Sequence, residues 1–391
     1  MSSRILLLTS LYLSQGLPFG FFTQALPVLL RQQGVSLEMI GMSSLLALPW
    51  ALKFLWAPLV ERLPSRRAAI VPLQALSAVV LVALAVADPE RAVTWMVAAV
   101  FATNLLAATQ DVATDGLAVD LLRPEERGLG NGVQVAGYRL GMVIGGGALL
   151  VVFEELGWTR SFGLMAALLL LASLPVALFR EPPRAGRASE KVDYGALVDW
   201  LRTPHARAWL GVVAVYKFGD ALGSAMVRPL LVDRGMSLAD VGWAMGWLGS
   251  AAGLVGALAG GWLTGRMGRR AALVTFGVGQ TVTIGAYALA SAWPTRAMLY
   301  GASAAEHLFG GMATAALFTC MMDACRPSRA ATDYTLQACV VVVSSGVAAA
   351  ISGWSAGALG YTTHFVLSGA VSLLGVAAVG WRGAVPVLAA R

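Results

Sequence analysis

The chain has 391 residues, of which 58% are hydrophobic and only 13% charged, with a net charge of +7 and a mean hydropathy of +0.72. A soluble globular surface needs charged residues at about 25% of the chain. This composition therefore excludes a soluble enzyme, a disordered chain, a disulfide-stapled secreted domain and an ordinary nucleic-acid binder, and it specifies an all-α polytopic membrane protein.

A helix needs about 20 apolar residues to cross a bilayer. The first such run follows Arg4 and extends over 5–30 with no small-residue cleavage site, so it reads as a span and not as a removable signal. Further spans are predicted over 38–60, 68–87, 93–120, 128–153 and 160–179, completing an N-terminal half, 1–180. The stretch 181–206 contains Pro182-Pro183 and interspersed acids and bases, which marks a linker. Six more spans, over 207–231, 237–264, 271–291, 296–323, 330–355 and 361–381, form a C-terminal half, 207–391. Cys320, Cys325 and Cys339 lie in apolar sequence without CxxC spacing and read as packing residues; no metal and no cofactor is expected.

Orientation follows from the basic residues. With the N-terminus, the even-to-odd loops and the C-terminus on one side, that side carries nineteen Lys and Arg, from Arg4 to Arg391. The other side carries six: Arg31, Arg91, Arg160, Arg228, Arg234 and Arg296. Positive charge stays cytoplasmic, so both termini and the linker are expected there.

The halves echo one another. GVSLEMIG at 34–41 recurs as GMSLADVG at 235–242, a shift of 201. Arg66-Arg67 recurs as Arg269-Arg270, Asp120-x-x-Arg123-Pro124 as Asp323-x-x-Arg326-Pro327, and Gln134 as Gln337, each shifted by 203. Two six-helix halves of like orientation pack about an axis along the membrane normal, with a solute path between them.

The run from Gly261 to Arg270, GWLTGRMGRR, resembles the loop signature of the major facilitator superfamily, with Gly265 at the acidic position. The first-half loop has Glu61, Arg62, Arg66 and Arg67, with one residue more between the pairs. LSQGLPFGFFTQALPVLLR (13–31), LPWALKFLWAPLVER (48–62), ATQDVATDGLAVD (108–120) and GYRLGMVIGGG (137–147) are similar to the branch holding AmpG-like muropeptide permeases, acetyl-CoA transporters and siderophore permeases. The LPxGFFTQALP and LPWALKFLWAP runs are most similar to the siderophore permeases. The resemblance implies a twelve-helix transporter in a bacterial cytoplasmic membrane. It further implies gating loops built from Glu61, Arg62, Arg66, Arg67, Arg266, Arg269 and Arg270.

An ionisable group inside a membrane helix costs a few kcal/mol and needs a partner or water. Lys53, Asp111, Asp115, Arg139, Lys217, Asp220, Glu306 and His307 all fall within predicted spans. At ~1.5 Å per residue from the basic end of each span, Lys53, Asp111, Arg139 and Lys217 lie roughly 13–18 Å deep, near the midplane. Asp111 and Asp115, at i and i+4, share one helix face. Two readings stand. In one, Lys53, Arg139 and Lys217 attract an anionic solute while Asp111, Asp115, Asp220 or Glu306 carries a proton. In the other, the charges form structural pairs, for example Arg139 with Asp111, and Glu306 packs with His307. Gln15, Gln24, Gln110, Gln134 and Tyr138 are polar candidates for the solute site, and Trp50 is its aromatic candidate; interhelical bonding or packing explains each as well. Gly16, Pro18 and Gly20 are placed to kink the first span, and Gly145-Gly146-Gly147 to admit a close neighbour.

The leading function is proton-coupled import of a small amphipathic metabolite by a monomer, a siderophore or its iron complex first, with a muropeptide or acyl-CoA-type solute as the alternative. A membrane enzyme or a solute sensor is the reading of another class. No Walker-type phosphate loop, H-E-x-x-H or G-x-S-x-G sequence occurs, and a sensor's output domain has no room in the longest loop.

Overall fold

The structure, a computed structural model, describes residues 2–32, 34, 43–87, 92–182 and 194–380. The repeat segment 35–41, the linker residues 183–193 and Arg91, Arg382 and Arg391 lie outside the described residues. Nine helices among the described residues are long and apolar enough to cross a membrane. One of these, Pro327–Gly380, holds two crossings. Its regular part, Ala330–Gly380, has 51 residues and would reach about 77 Å if straight, over twice a ~30 Å core. Gly360, with φ 74° and ψ 161°, divides it into the eleventh and twelfth spans. Gly157, with φ 74° and ψ −177°, likewise divides Leu149–Leu178 into the end of the fifth span and the sixth.

The two remaining spans are polar or broken. The tenth, Arg296–Asp323, carries Glu306 and His307. The second runs Ser43–Ala47, Leu48–Leu52, Lys53–Leu55 and Ala57–Glu61, alternating tight and α-helical turns. Pro49 and Pro58 each lack a backbone donor, so the regular ladder cannot continue through them. Lys53 sits at the resulting corner, where its carbonyl accepts from Trp56 N at 3.2 Å.

By contacts the chain forms two units. The first comprises Met1–Leu121, Gly137–Asp193 and Arg326–Thr335; the second comprises Leu122–Ala136, Tyr194–Cys325 and Leu336–Arg391.

In the first unit, Ser2–Gly20 passes through a π-turn, Phe21–Ala25, into Leu26–Gln32. Small residues bring this span against the fifth: a Cβ on Gly16 would overlap the Tyr138 carbonyl, and one on Gly145 the Leu17 carbonyl. Such contacts let backbones meet where lipid supplies no hydrophobic drive. Gly146 lies beside the Gln24 side chain, whereas Gly147 has nothing within 4 Å, so two of the three consecutive glycines serve the close approach expected of them. In the same unit Phe21 packs edge-on to Phe162 at 5.3 Å. The third span, Arg66–Ala85, starts at a Ser65 cap whose Oγ accepts from Ala68 N at 3.1 Å. The Glu181 carboxylate accepts from Ser65 Oγ at 2.7 Å, Arg66 N at 3.0 Å and Arg67 N at 2.9 Å, which suits the positive end of a helix.

In the second unit, the eighth span (crossing Gly242–Met267) packs on the tenth through Gly256 and Gly260, whose Cβ atoms would overlap Leu308 O and Met312 Cα. Gly128 and Gly132 of the fifth span approach Gly261 and Ala257 in the same way. Tyr287 stacks on Phe365 at 5.3 Å.

Candidate functional site

The first unit gathers several of the predicted polar residues. Asp111 and Asp115 project from one face of the fourth span, Ala92–Leu121, and both are buried. The Lys53 ammonium, 2% exposed, forms an ion pair with Asp111 Oδ2. Its Nζ also lies 5.4 Å from the centroid of the Trp50 ring, a cation–π contact. Tyr12 donates its hydroxyl to Asp115 Oδ1 at 2.9 Å. The cluster thus holds two carboxylates and one ammonium, with the cation on Asp111 and a phenol on Asp115.

A second layer surrounds this core. Ser14 donates to Leu11 O at 2.6 Å and accepts from Gln74 Nε2 at 2.7 Å and Gln110 Nε2 at 3.3 Å, so three spans share one hydroxyl. Trp50 packs edge-on to Phe19 at 5.5 Å, and Phe19 lies tilted against Tyr138 at 5.6 Å. Gln15 is 1% exposed, and neither atom of its amide has a hydrogen-bond partner among the described residues. Arg139 is half-buried, and Gln24 lies by Gly146.

Other candidates fall in the second unit. Lys217 occupies the break between Pro204–Tyr216 and Phe218–Ser224. Its Nζ is 2.6 Å from Asp220 Oδ2 and donates to Gln280 Oε1 at 2.8 Å. Glu306 Oε2 lies 2.7 Å from His307 Nδ1, the packed pair described above as the second reading. Gln134 is also buried in this unit.

The loop arginines differ from one another. Arg66 is fully buried, paired with Glu61, 3.8 Å from Asp120 Oδ2 and donating to Val60 O at 3.1 Å. Glu61 also accepts from Thr332 N at 2.9 Å. Arg269 binds Asp323 at 2.8 Å and the Pro124 carbonyl at 2.6 Å, and Arg127 binds the other oxygen of Asp323 at 2.8 Å. Arg270 donates to Gly380 O, Arg67 uses its backbone N–H on Glu181, and the Arg266 guanidinium lies 3.9 Å over the Trp262 ring. Nη2 of Arg62 is buried and has no hydrogen-bond partner among the described residues.

Sequence reasoning left out Tyr12, Gln74, Arg127, Gln280 and Glu181 as site or anchoring residues. Tyr12 and Gln74 had a usable signal, since polar side chains inside apolar runs need partners. Glu181 and Arg127 had none, because their partners come from distant spans.

Twelve helices and paired arginine loops at one offset are the architecture the sequence resemblance implies. Residues 8–337 match the Major Facilitator Superfamily. The chain belongs to that superfamily. Its members are secondary transporters of small molecules, so this permease is a multi-pass membrane transporter. The anhydromuropeptide permease of Escherichia coli (strain K12) is 32% identical over 386 residues, covering 95% of this chain and 78% of that protein. A putative AmpG transporter of Rickettsia felis is 26% identical over 82% of each chain. Among solved structures, the human organic anion transporter MFSD10 superposes with a TM-score of 0.76 at 14% identity over 97% of this chain and 99% of that one. The Escherichia coli fucose:proton symporter gives 0.71 at 14% identity over 96% and 98%. Likenesses at that identity establish the fold.

Proposed function

We propose that this permease imports muropeptide fragments across the bacterial cytoplasmic membrane in symport with protons, with both termini cytoplasmic. The observation that carries the substrate class is the 32% identity to an anhydromuropeptide permease along 95% of the chain. This reverses the order reached from sequence motifs, in which a siderophore came first. A muropeptide presents carboxylates and a siderophore carboxylates or phenolates, so both ask for a cation in the site.

The Lys53, Asp111, Asp115 and Tyr12 cluster supports a coupling scheme. A solute carboxylate that takes the Lys53 ammonium removes the cation from Asp111. Two carboxylates one helical turn apart then lack compensation in a low-dielectric site, and a proton taken by one of them restores neutrality. Asp115 is the better seat, because its partner Tyr12 is neutral whereas Asp111 already holds Lys53. Trp50 and Phe19 offer an apolar wall for the sugar rings.

The test is uptake by purified permease in proteoliposomes, with and without an inward proton gradient, using a labelled anhydromuropeptide, a ferric siderophore and an acyl-CoA in parallel. Gradient-dependent accumulation of the anhydromuropeptide supports the proposal. Accumulation of the siderophore alone restores the motif-based order.

A further inference from the structure

Tyr194–Arg202 forms a nine-residue helix immediately before the seventh span. Its apolar residues cover a broad arc, but the protein covers only part of that arc. Leu197 is buried and Trp200 half-buried, one turn apart. On the adjoining strip, Tyr194 is 46% and Val198 43% exposed, with Leu201 half-buried beside them at i, i+4 and i+7. Asp199 and Arg202, an i,i+3 pair 3.6 Å apart, lie opposite the packed Leu197 and Trp200 and are 73% and 77% exposed. The helix therefore has three faces: one packed, one apolar and open, one charged.

Its depth is fixed by the chain. Thr203 adopts an extended conformation (φ −68°, ψ 137°), as the residue before a proline prefers, and Pro204 opens the next helix. Thr203 Oγ1 caps that helix by accepting from Ala206 N at 3.3 Å and donates to Trp200 O at 2.7 Å, tying the two helices at a corner. The candidate crossing Pro204–Asp233 has 30 residues, well above the ~20 that a ~30 Å core needs even with its breaks at Lys217 and Met226, so its first turn stands in the headgroup layer. Arg202 and Arg207 are exposed at this corner and present positive charge at the same level, with His205 exposed between them.

We infer that Tyr194–Arg202 lies in the headgroup–acyl boundary of the cytoplasmic leaflet, with Tyr194, Val198 and Leu201 in the acyl region and Arg202 and Arg207 on anionic lipid phosphates. Apolar strips flanked by arginine bind such interfaces through buried area plus attraction to anionic lipid. The inference uses the twelve-span fold and the orientation, and it is independent of the transported solute.

The test places a nitroxide at Val198→Cys or Asp199→Cys in full-length permease whose Cys320, Cys325 and Cys339 are alanine, in nanodiscs of phosphatidylcholine with phosphatidylglycerol. The label at 198 should be relaxed by oxygen and shielded from a nickel chelate, and the label at 199 should show the reverse. Removing phosphatidylglycerol should shift the 198 label toward nickel. Equal nickel access at the two positions, shielding of 198 from both reagents, or indifference to lipid charge overturns the inference. In the chain with native cysteines, Val198→Asp should speed tryptic cleavage after Arg202 severalfold in the same nanodiscs. Unchanged cleavage overturns it as well.

Discussion

Gly157 and Gly360 stand 203 residues apart and turn the chain with the same φ of 74°. Gly34 and Gly235, 201 apart, do so at 77° and 79°. These are the offsets of the sequence echoes, so four of the five left-handed glycines in the described chain mark equivalent corners of the two repeats. With ψ near 180° at Gly157 and Gly360 the conformation is essentially confined to glycine, and an L-residue there costs roughly 1–3 kcal/mol, which holds glycine at those corners. Nothing lies within 4 Å of a Cβ at Gly360, whereas one at Gly256 would overlap the Leu308 carbonyl.

Gly360→Ala should therefore cost about 1–2 kcal/mol through its backbone alone. Gly256→Ala should cost more, about 1–3 kcal/mol, because two helices must move apart. Thermal unfolding of both variants in one detergent checks the ranking. Equal melting temperatures contradict it.

Much of this fold was legible in the sequence, because a bilayer imposes a length and a polarity on every helix. The limits of the spans, the repeat and the pairing of Glu306 with His307 follow from such local rules. The broken second span was not foreseen, although Pro49 and Pro58 were visible, since prolines are common in membrane helices and their effect depends on neighbours. The common depth of Lys53 and Asp111 was readable from the basic span ends, but their direct pairing was not. That depends on helix rotation, which side-chain packing sets. The same limit hid Tyr12 behind Asp115 and Arg127 behind Asp323.

Lys53→Met should destabilise the permease by about 3–5 kcal/mol, because Asp111 would keep a buried charge without its cation. Lys53→Met combined with Asp111→Asn should recover most of that loss. Unfolding midpoints of the two single variants and the double variant give the coupling. Additive losses would show that the pair is not energetically linked.

Arg269 holds Asp323 and the Pro124 carbonyl, while Arg270, exposed, reaches among the described residues the Gly380 carbonyl. Arg269→Gln should shift the balance of inward- and outward-facing states, and Arg270→Gln should leave it unchanged. Labelling rates of engineered cysteines on each membrane face report the balance. Matching rates in Arg269→Gln and the parent remove Arg269 from the gate.

Asp240 sits just ahead of the eighth crossing. Ser237 donates to its carboxylate from Oγ at 2.8 Å and from the backbone N at 3.1 Å, and Arg296 lies 3.3 Å away. These donors, Ser237 foremost, hold its carboxyl below the usual carboxylate range. A depressed folded-state value means that this contribution to stability is complete above the unfolded value, near ~4, and is lost as pH falls through the folded one. Melting temperature should drop on acidification below about pH 4, and Asp240→Asn should flatten that part of the curve. Superimposable acid limbs for the two proteins would refute it.

The proposed proton symport would use the two carboxylates of the first unit differently. Asp115 receives a phenol hydrogen bond and Asp111 a lysine, so only Asp115 gains or loses a proton without first breaking an ion pair. Asp115→Asn should abolish gradient-driven accumulation while sparing exchange of labelled solute across vesicles without a gradient, since binding at Lys53 is retained. Asp111→Asn releases Lys53 to the solute and should instead tighten binding and slow release. Tyr12→Phe removes the hydrogen bond that favours the Asp115 carboxylate, which should move the pH profile of uptake toward higher pH. Accumulation against a gradient by Asp115→Asn would place the proton elsewhere, and Asp220 beside Lys217 then becomes the position to mutate.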